Sequence, residues 1–189
     1  MMEKAKVYFT DLRTKPGQSQ LTKLEKLIRT AGIGDIDFEK KLAAIKMHFG
    51  EPGNMAYLRP NWARVVADVV KELGGMPFLT DCNTLYPGLR KNAYDHLNAA
   101  YENGFTPFST GCHVIIGDGV KGTDDVAVPV VGGEYVKEAK IGRAVMDADV
   151  FISLSHFKGH EATGFGGAIK NIGMGCGSRA GKMEQHNAG

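Results

Sequence analysis

His156 and His160 stand four residues apart directly after the apolar run at 150–154, and a glycine turn at Gly164, Gly166 and Gly167 then leads to Lys170. Imidazole titrates near neutral pH and serves as a general acid or base. A lysine beside the free amides at the start of a helix makes an anion site. On a helix, the four-residue spacing would let both histidines share a metal. Gly159 and the position immediately after a strand favour a loop instead, so no metal ligand is assigned. His156 and His160 are therefore the candidate catalytic residues, with a structural histidine as the plainer alternative for each. Lys170, Gly164, Gly166 and Gly167 are the candidate cofactor-binding residues. Asp11 and Arg13, ahead of Pro16, join them at the end of the first apolar run; a surface ion pair is the other reading.

The stretch 155–182 also holds Lys158, Arg179 and Lys182, with Glu161 as its one acid and Glu184 just beyond. Each glycine inside a helix costs about 1 kcal/mol relative to alanine, so seven of them (164, 166, 167, 173, 175, 177, 181) mark backbone that turns sharply or approaches something closely. Walker A fails twice here. Cys176 stands where its first glycine belongs, and Met183 follows Lys182. A G-x-G-x-x-A pattern at Gly175, Gly177 and Ala180 lies far beyond the strand that a dinucleotide fingerprint must follow. What survives is an anion site built from helix amides and Lys170, with Arg179 and Lys182 adding charge if the chain folds back. Cys82, Cys112 and Cys176 form no C-x-x-C pair, so neither a disulfide framework nor a metal cluster is written in them.

The elements that must position these residues follow from periodicity. Apolar runs at 7–9, 43–49, 76–80, 112–117 and 150–154 read as strands. In the second, Ile45, Met47 and Phe49 alternate against Lys46 and His48. Helical spacing marks 19–31, with Ser19 as N-cap and Gly32 as stop, then 60–73 with Pro60 in the first turn, 91–103, and a short helix at 141–148. Residues 126–131 and 134–140 read as a small hairpin insertion. Strands alternating with helices predict an α/β fold, a mostly parallel, Rossmann-like sheet flanked by helices, in one domain over 1–189. Ligands in such sheets bind beyond the carboxyl ends of the strands. Asp11, Arg13, His48, Asp81, Cys82, Asn83, Asp118, Ser155 and His156 would share that rim, Asp118 as turn chemistry and Cys82 as an inert thiol. The chain stops after a glycine-rich helical stretch and reads as truncated.

A net charge of +2 gives no electrostatic case for nucleic acid. The amino terminus lacks a signal-peptide core, and no apolar run approaches the roughly 18 residues of a membrane span. No membrane partner and a cytoplasmic location are expected.

The run Ser155-His-Phe-Lys-Gly-His-Glu-Ala-Thr-Gly-Phe-Gly-Gly-Ala-Ile-Lys170, continuing to Lys182 and preceded by Ile-Gly-Arg-Ala-Val-Met-Asp-Ala-Asp-Val-Phe-Ile-Ser-Leu, resembles domain of unknown function 362. That resemblance implies an iron-sulfur-associated protein whose ferredoxin-like segment, with the cysteines of a 4Fe-4S cluster, lies beyond Gly189, and a redox partner. A more distant similarity joins His160, Gly164, Phe165, Gly167 and Lys170 to lactate racemase-type proteins that use a nickel pincer nucleotide, with Ala168 replacing a glycine. It implies a lysine-anchored cofactor and histidine acid-base groups, although the loop 81–90 lacks the further histidine expected there. The expected function is thus an α/β module binding a small anionic ligand or cofactor. The alternatives are a racemase-like proton-transfer enzyme and a non-enzymatic scaffold or cofactor-delivery module.

Overall fold

The computed structural model of the protein describes residues 4–187. Four short strands, β1 (Leu42–Lys46), β2 (Met76–Asp81), β3 (His113–Ile116) and β6 (Val150–Ser153), form a parallel sheet in the order β3-β2-β1-β6. β1 is central. Ala43, Ala44 and Ile45 are wholly buried, as expected of a parallel strand covered on both faces rather than one with a wet side. The register aligns Lys46 with Thr80 on one side and Ser153 on the other, so the carboxyl ends lie level.

Helices flank this sheet. α2 (Pro60–Glu72) carries proline in its first turn and buries Ala63, Val66, Ala67, Val69 and Val70, each buried valine contributing about 1.5–3 kcal/mol. α1 (Gln20–Thr30) is capped by Ser19, whose side chain accepts from Thr22 N, and sets Leu24 and Ile28 against the main cluster. α3 (Ala93–Glu102) starts at the Asn92 cap, and a single capped turn, α4 (Pro107–Thr110), follows it. The core gathers Ile45, Met47, Phe49, Leu79, Phe105 and Ile116 between sheet and helices.

An antiparallel hairpin, β4 (Asp125–Pro129) with β5 (Glu138–Gly142), stands apart from the sheet and leads into the one-turn helix α5 (Arg143–Met146). Beyond β6 the chain makes a second hairpin, β7 (Lys158–His160) with β8 (Gly164–Gly166), then α6 (Ala168–Gly173) and α7 (Arg179–Asn187). A bridge between Ile141 and Gly177 ties this last section to β5.

The α/β class, the parallel sheet and the hairpin insertion agree with the sequence reading. The strand expected at 7–9 does not form. Val7 and Phe9 are 89% and 85% exposed and have no sheet neighbour, so three β-prone residues find nothing to pair with. The helix expected at 141–148 shrinks to one turn because residues through Gly142 extend β5.

Candidate functional site

The floor of the site is a network of buried charge at the carboxyl ends of β1 and β2. Lys46, 1% exposed, sends its Nζ to Asp81 Oδ1 at 3.0 Å and to Asn171 Oδ1 at 2.8 Å. Arg90 Nη1 reaches Asp81 Oδ2 at 3.4 Å, while its Nε donates to Glu51 Oε1 at 2.7 Å. Burial alone would raise the Asp81 carboxyl. Lys46 and Arg90 outweigh it and hold the group well below the usual carboxylate range. His96 Nδ1 lies 3.4 Å from Asn83 Oδ1, and Asn83 Nδ2 donates to Asp118 Oδ1 and to Gly119 O, both at 2.9 Å. Because that amide has committed its hydrogens, the imidazole must donate through Nδ1. Burial pushes the His96 pKa down to about 3, so the ring is neutral.

The glycine-rich section closes over this floor. Asn171 Nδ2 donates to Lys46 O at 3.1 Å and Ser153 Oγ at 2.9 Å, joining α6 to two strand ends. A Cβ on Gly175 would lie 2.6 Å from Lys46 Nζ, so only glycine lets this backbone come so near the buried ammonium. The result is a cleft of ≈ 430 Å³. Its walls include His48, Tyr57, Tyr86, Arg90, His156, Lys158, His160, Gly166, Gly167, Lys170, Lys182 and His186.

Two of the histidines accept backbone hydrogen bonds through Nδ1. His160 Nδ1 accepts from Ala162 N and Thr163 N, each at 3.2 Å, within the turn that Gly164 completes at φ +78°. Its Nε2 is in contact with Lys170 Nζ. His48 Nδ1 accepts from Gly50 N at 2.9 Å, leaving Nε2–H as the free donor. The His48 ring is open to water in the cleft but surrounded by protein. That burial, reinforced by Arg90, pushes its pKa down to about 4. Opposite, Tyr86 Oη meets His186 Nε2 at 3.3 Å across the mouth.

Lys182, 7% exposed, donates only to Gly177 O and has no carboxylate partner among the described residues. Burial depresses its pKa. Cys82 also lines the cleft, but its S–H donates to Cys176 O at 3.3 Å, and burial first, then the charge of Asp118, drives the thiol far up. It is an inert group by that chemistry.

Of the sequence-predicted site residues, the structure gathers His156, His160, Gly166, Gly167 and Lys170 in one cleft. Gly164 serves the hairpin turn behind it. Asp11 and Arg13 lie elsewhere. Asp11 is bound by Lys23 of α1, the Arg13 side chain is 93% exposed, and the strand expected to bring them to the rim is absent. Lys182 folds back into the cleft as expected, whereas the Arg179 side chain packs on Gly122. Asp118, read as turn chemistry, is buried and holds Asn83. Lys46, Arg90, Asn171 and His186 are among the lining residues that sequence reasoning missed. The available signal was Lys46 ending an apolar strand, with Asp81 ending the next.

The molecule is thus an α/β protein with a basic cleft at the carboxyl ends of its strands. The family model described as Domain of unknown function (DUF362) matches residues 43–189, and the chain belongs to that family. The match begins within β1 and takes in all the described residues that line the cleft. A curated relative, Thylakoid-associated protein sll1697 of Synechocystis sp., is 28% identical over 131 residues, covering 66% of this chain. The aligned part spans 35% of the length of that protein. No solved structure matches the chain.

The iron-sulfur cluster implied by the resemblance finds no donor set among the described residues. Cys82, Cys112 and Cys176 are all buried and raised in pKa by that burial, whereas cluster ligation needs thiolates. No group of three or more His, Cys, Asp or Glu side chains there is arranged to hold a metal ion. No helix among the described residues is long and apolar enough to cross a membrane.

Proposed function

We propose that the cleft binds a small anionic ligand, a carboxylate or a phosphate ester, with Lys158, Lys170 and Lys182 supplying the charge that holds it. One observation carries this reading. The carboxylates lining the cleft, Glu51 and Asp81, are already engaged by Arg90 and Lys46, which leaves these three lysines without a carboxylate partner among the described residues. Unmatched positive charge in a partly dehydrated cleft favours an anion from solution. His48 adds a neutral N–H donor, and Tyr57 and Tyr86 supply apolar walls. Isothermal titration with oxalate and with inorganic phosphate tests the proposal. Lys170→Ala should weaken binding by about 1.5–3 kcal/mol, roughly tenfold or more. Equal affinity in the wild type and the variant would sink the assignment of Lys170.

A second reading, proton-transfer catalysis, is favoured by the contact between His160 Nε2 and Lys170 Nζ, with both groups open to the cleft. In that reading Lys170 anchors a cofactor and His160 or His156 moves the proton. Intact mass of protein from its native host checks it, since an unmodified Lys170 argues against the anchor. If turnover is absent while binding persists, a scaffold or delivery role follows. Association with a 4Fe-4S cluster and a redox partner is proposed only for sequence outside these residues. Cytoplasmic location is likewise a proposal, and cell fractionation separates it from the thylakoid association that the relative's name records.

A further inference from the structure

Lys182 differs from the other cleft lysines in what surrounds it. Lys158 and Lys170 are exposed and Lys46 is neutralised by Asp81, but Lys182 is buried in the wall with one backbone acceptor, Gly177 O. The ionisable groups around it are Lys46, Asp81, Cys82 and Asp118. None is its ion-pair partner. Asp81 is held by Lys46 and Arg90, the Cys82 thiol is protonated, and Asp118 Oδ1 is taken by Asn83. Asp118 Oδ2, buried without a hydrogen-bond partner, lies against Gly122. The side chain is also firmly placed. Ser178 Oγ accepts from Gly181 N at 3.1 Å, and Gly181 lies so close to Lys140 O that a Cβ would come within 2.5 Å. The first turn of α7 therefore cannot roll to carry Lys182 out to solvent.

We propose that Lys182 is a nucleophilic amine that forms a reversible imine with an anionic ligand bearing an aldehyde or 2-oxo carbonyl, its anionic end held by Lys158 and Lys170. This rests on the anion-binding reading and names the ligand class within it. A lysine removed from water without an ion-pair partner gives up its proton more readily to leave the free amine, the form that attacks carbonyls. The Nζ lone pair forms the C–N bond to the carbonyl carbon. The carbonyl oxygen leaves as water, taking the two hydrogens that the amine gives up, and no electrons change hands. His48 Nε2–H, on the same cleft, is the neutral donor available to the departing oxygen.

The test uses the full chain with glyoxylate and cyanoborohydride, which reduces an imine to a stable carboxymethyl-lysine, followed by peptide mapping by mass spectrometry. The expected result is a carboxymethyl group on Lys182, suppressed by excess oxalate and absent from Lys182→Met. The wild-type map decides the question even if that variant fails to fold. Adduct on Lys170 or on exposed lysines, with Lys182 unmodified and oxalate still binding, overturns the imine and leaves the anion site standing. Failure of both oxalate and glyoxylate to bind overturns both.

Discussion

Asp81 is the residue on which the cleft floor depends, because it is the buried carboxylate shared by Lys46, Arg90 and His96. Removing one partner of a buried ion pair leaves an uncompensated charge and costs about 3–5 kcal/mol. Asp81→Asn should therefore destabilise the protein by about that amount in urea unfolding, and the further change Lys46→Met should recover part of the loss. Acid sensitivity follows from the same cluster. An unfolded histidine titrates near about 6.5, whereas His48 accepts its proton only at about 4 and His96 at about 3. The unfolded chain takes up these protons first, so stability is complete above about pH 6.5 and declines as pH falls toward about 3. Asp81, depressed below its unfolded value near about 3.9, adds a further loss below that. The urea midpoint should drop between about pH 7 and about pH 5, and His96→Gln should flatten that slope.

Among the elements, α7 is held close to β5, with the Gly181 backbone against Lys140. Gly181→Ala would force the two apart, a cost of about 1–3 kcal/mol for overpacking, and would displace Lys182 with the helix. A lowered melting temperature together with weakened oxalate binding is the expected outcome. The repeating apolar positions of α2 made that helix legible at 60–73, within a residue of its observed 60–72. The same logic misread 7–9, because whether a β-prone triplet becomes a strand depends on a neighbour that the local sequence does not name. Lys46 was misread for a related reason. Alternation with Ile45 and Met47 assigned it to a polar face, but both faces of the central strand are covered, and its partner Asn171 lies 125 residues away. The contiguous motif around His156, His160 and Lys170 was readable, whereas Arg90 and His186 reach the cleft only through the topology.

In the whole molecule, the cleft joins two kinds of structure. Its floor is the end of β1 and β2, inside the main core, and α1, which lies outside the family match, covers α2 from the far side. Its walls are the three-residue strands of the β7–β8 hairpin and the loop closed by Thr84 N to Arg90 O at 2.8 Å. Backbone amides in these two parts should exchange with deuterated water on different timescales. Those of β1, paired on both sides, open only with global unfolding, while those at 84–90 and 158–166 open locally. An anion that bridges the walls should therefore slow exchange at 84–90 and 158–166 by closing the local openings, and at 42–46 only through the gain in global stability that its binding brings. The wall segments would then report occupancy of the cleft, and the floor would report the binding free energy.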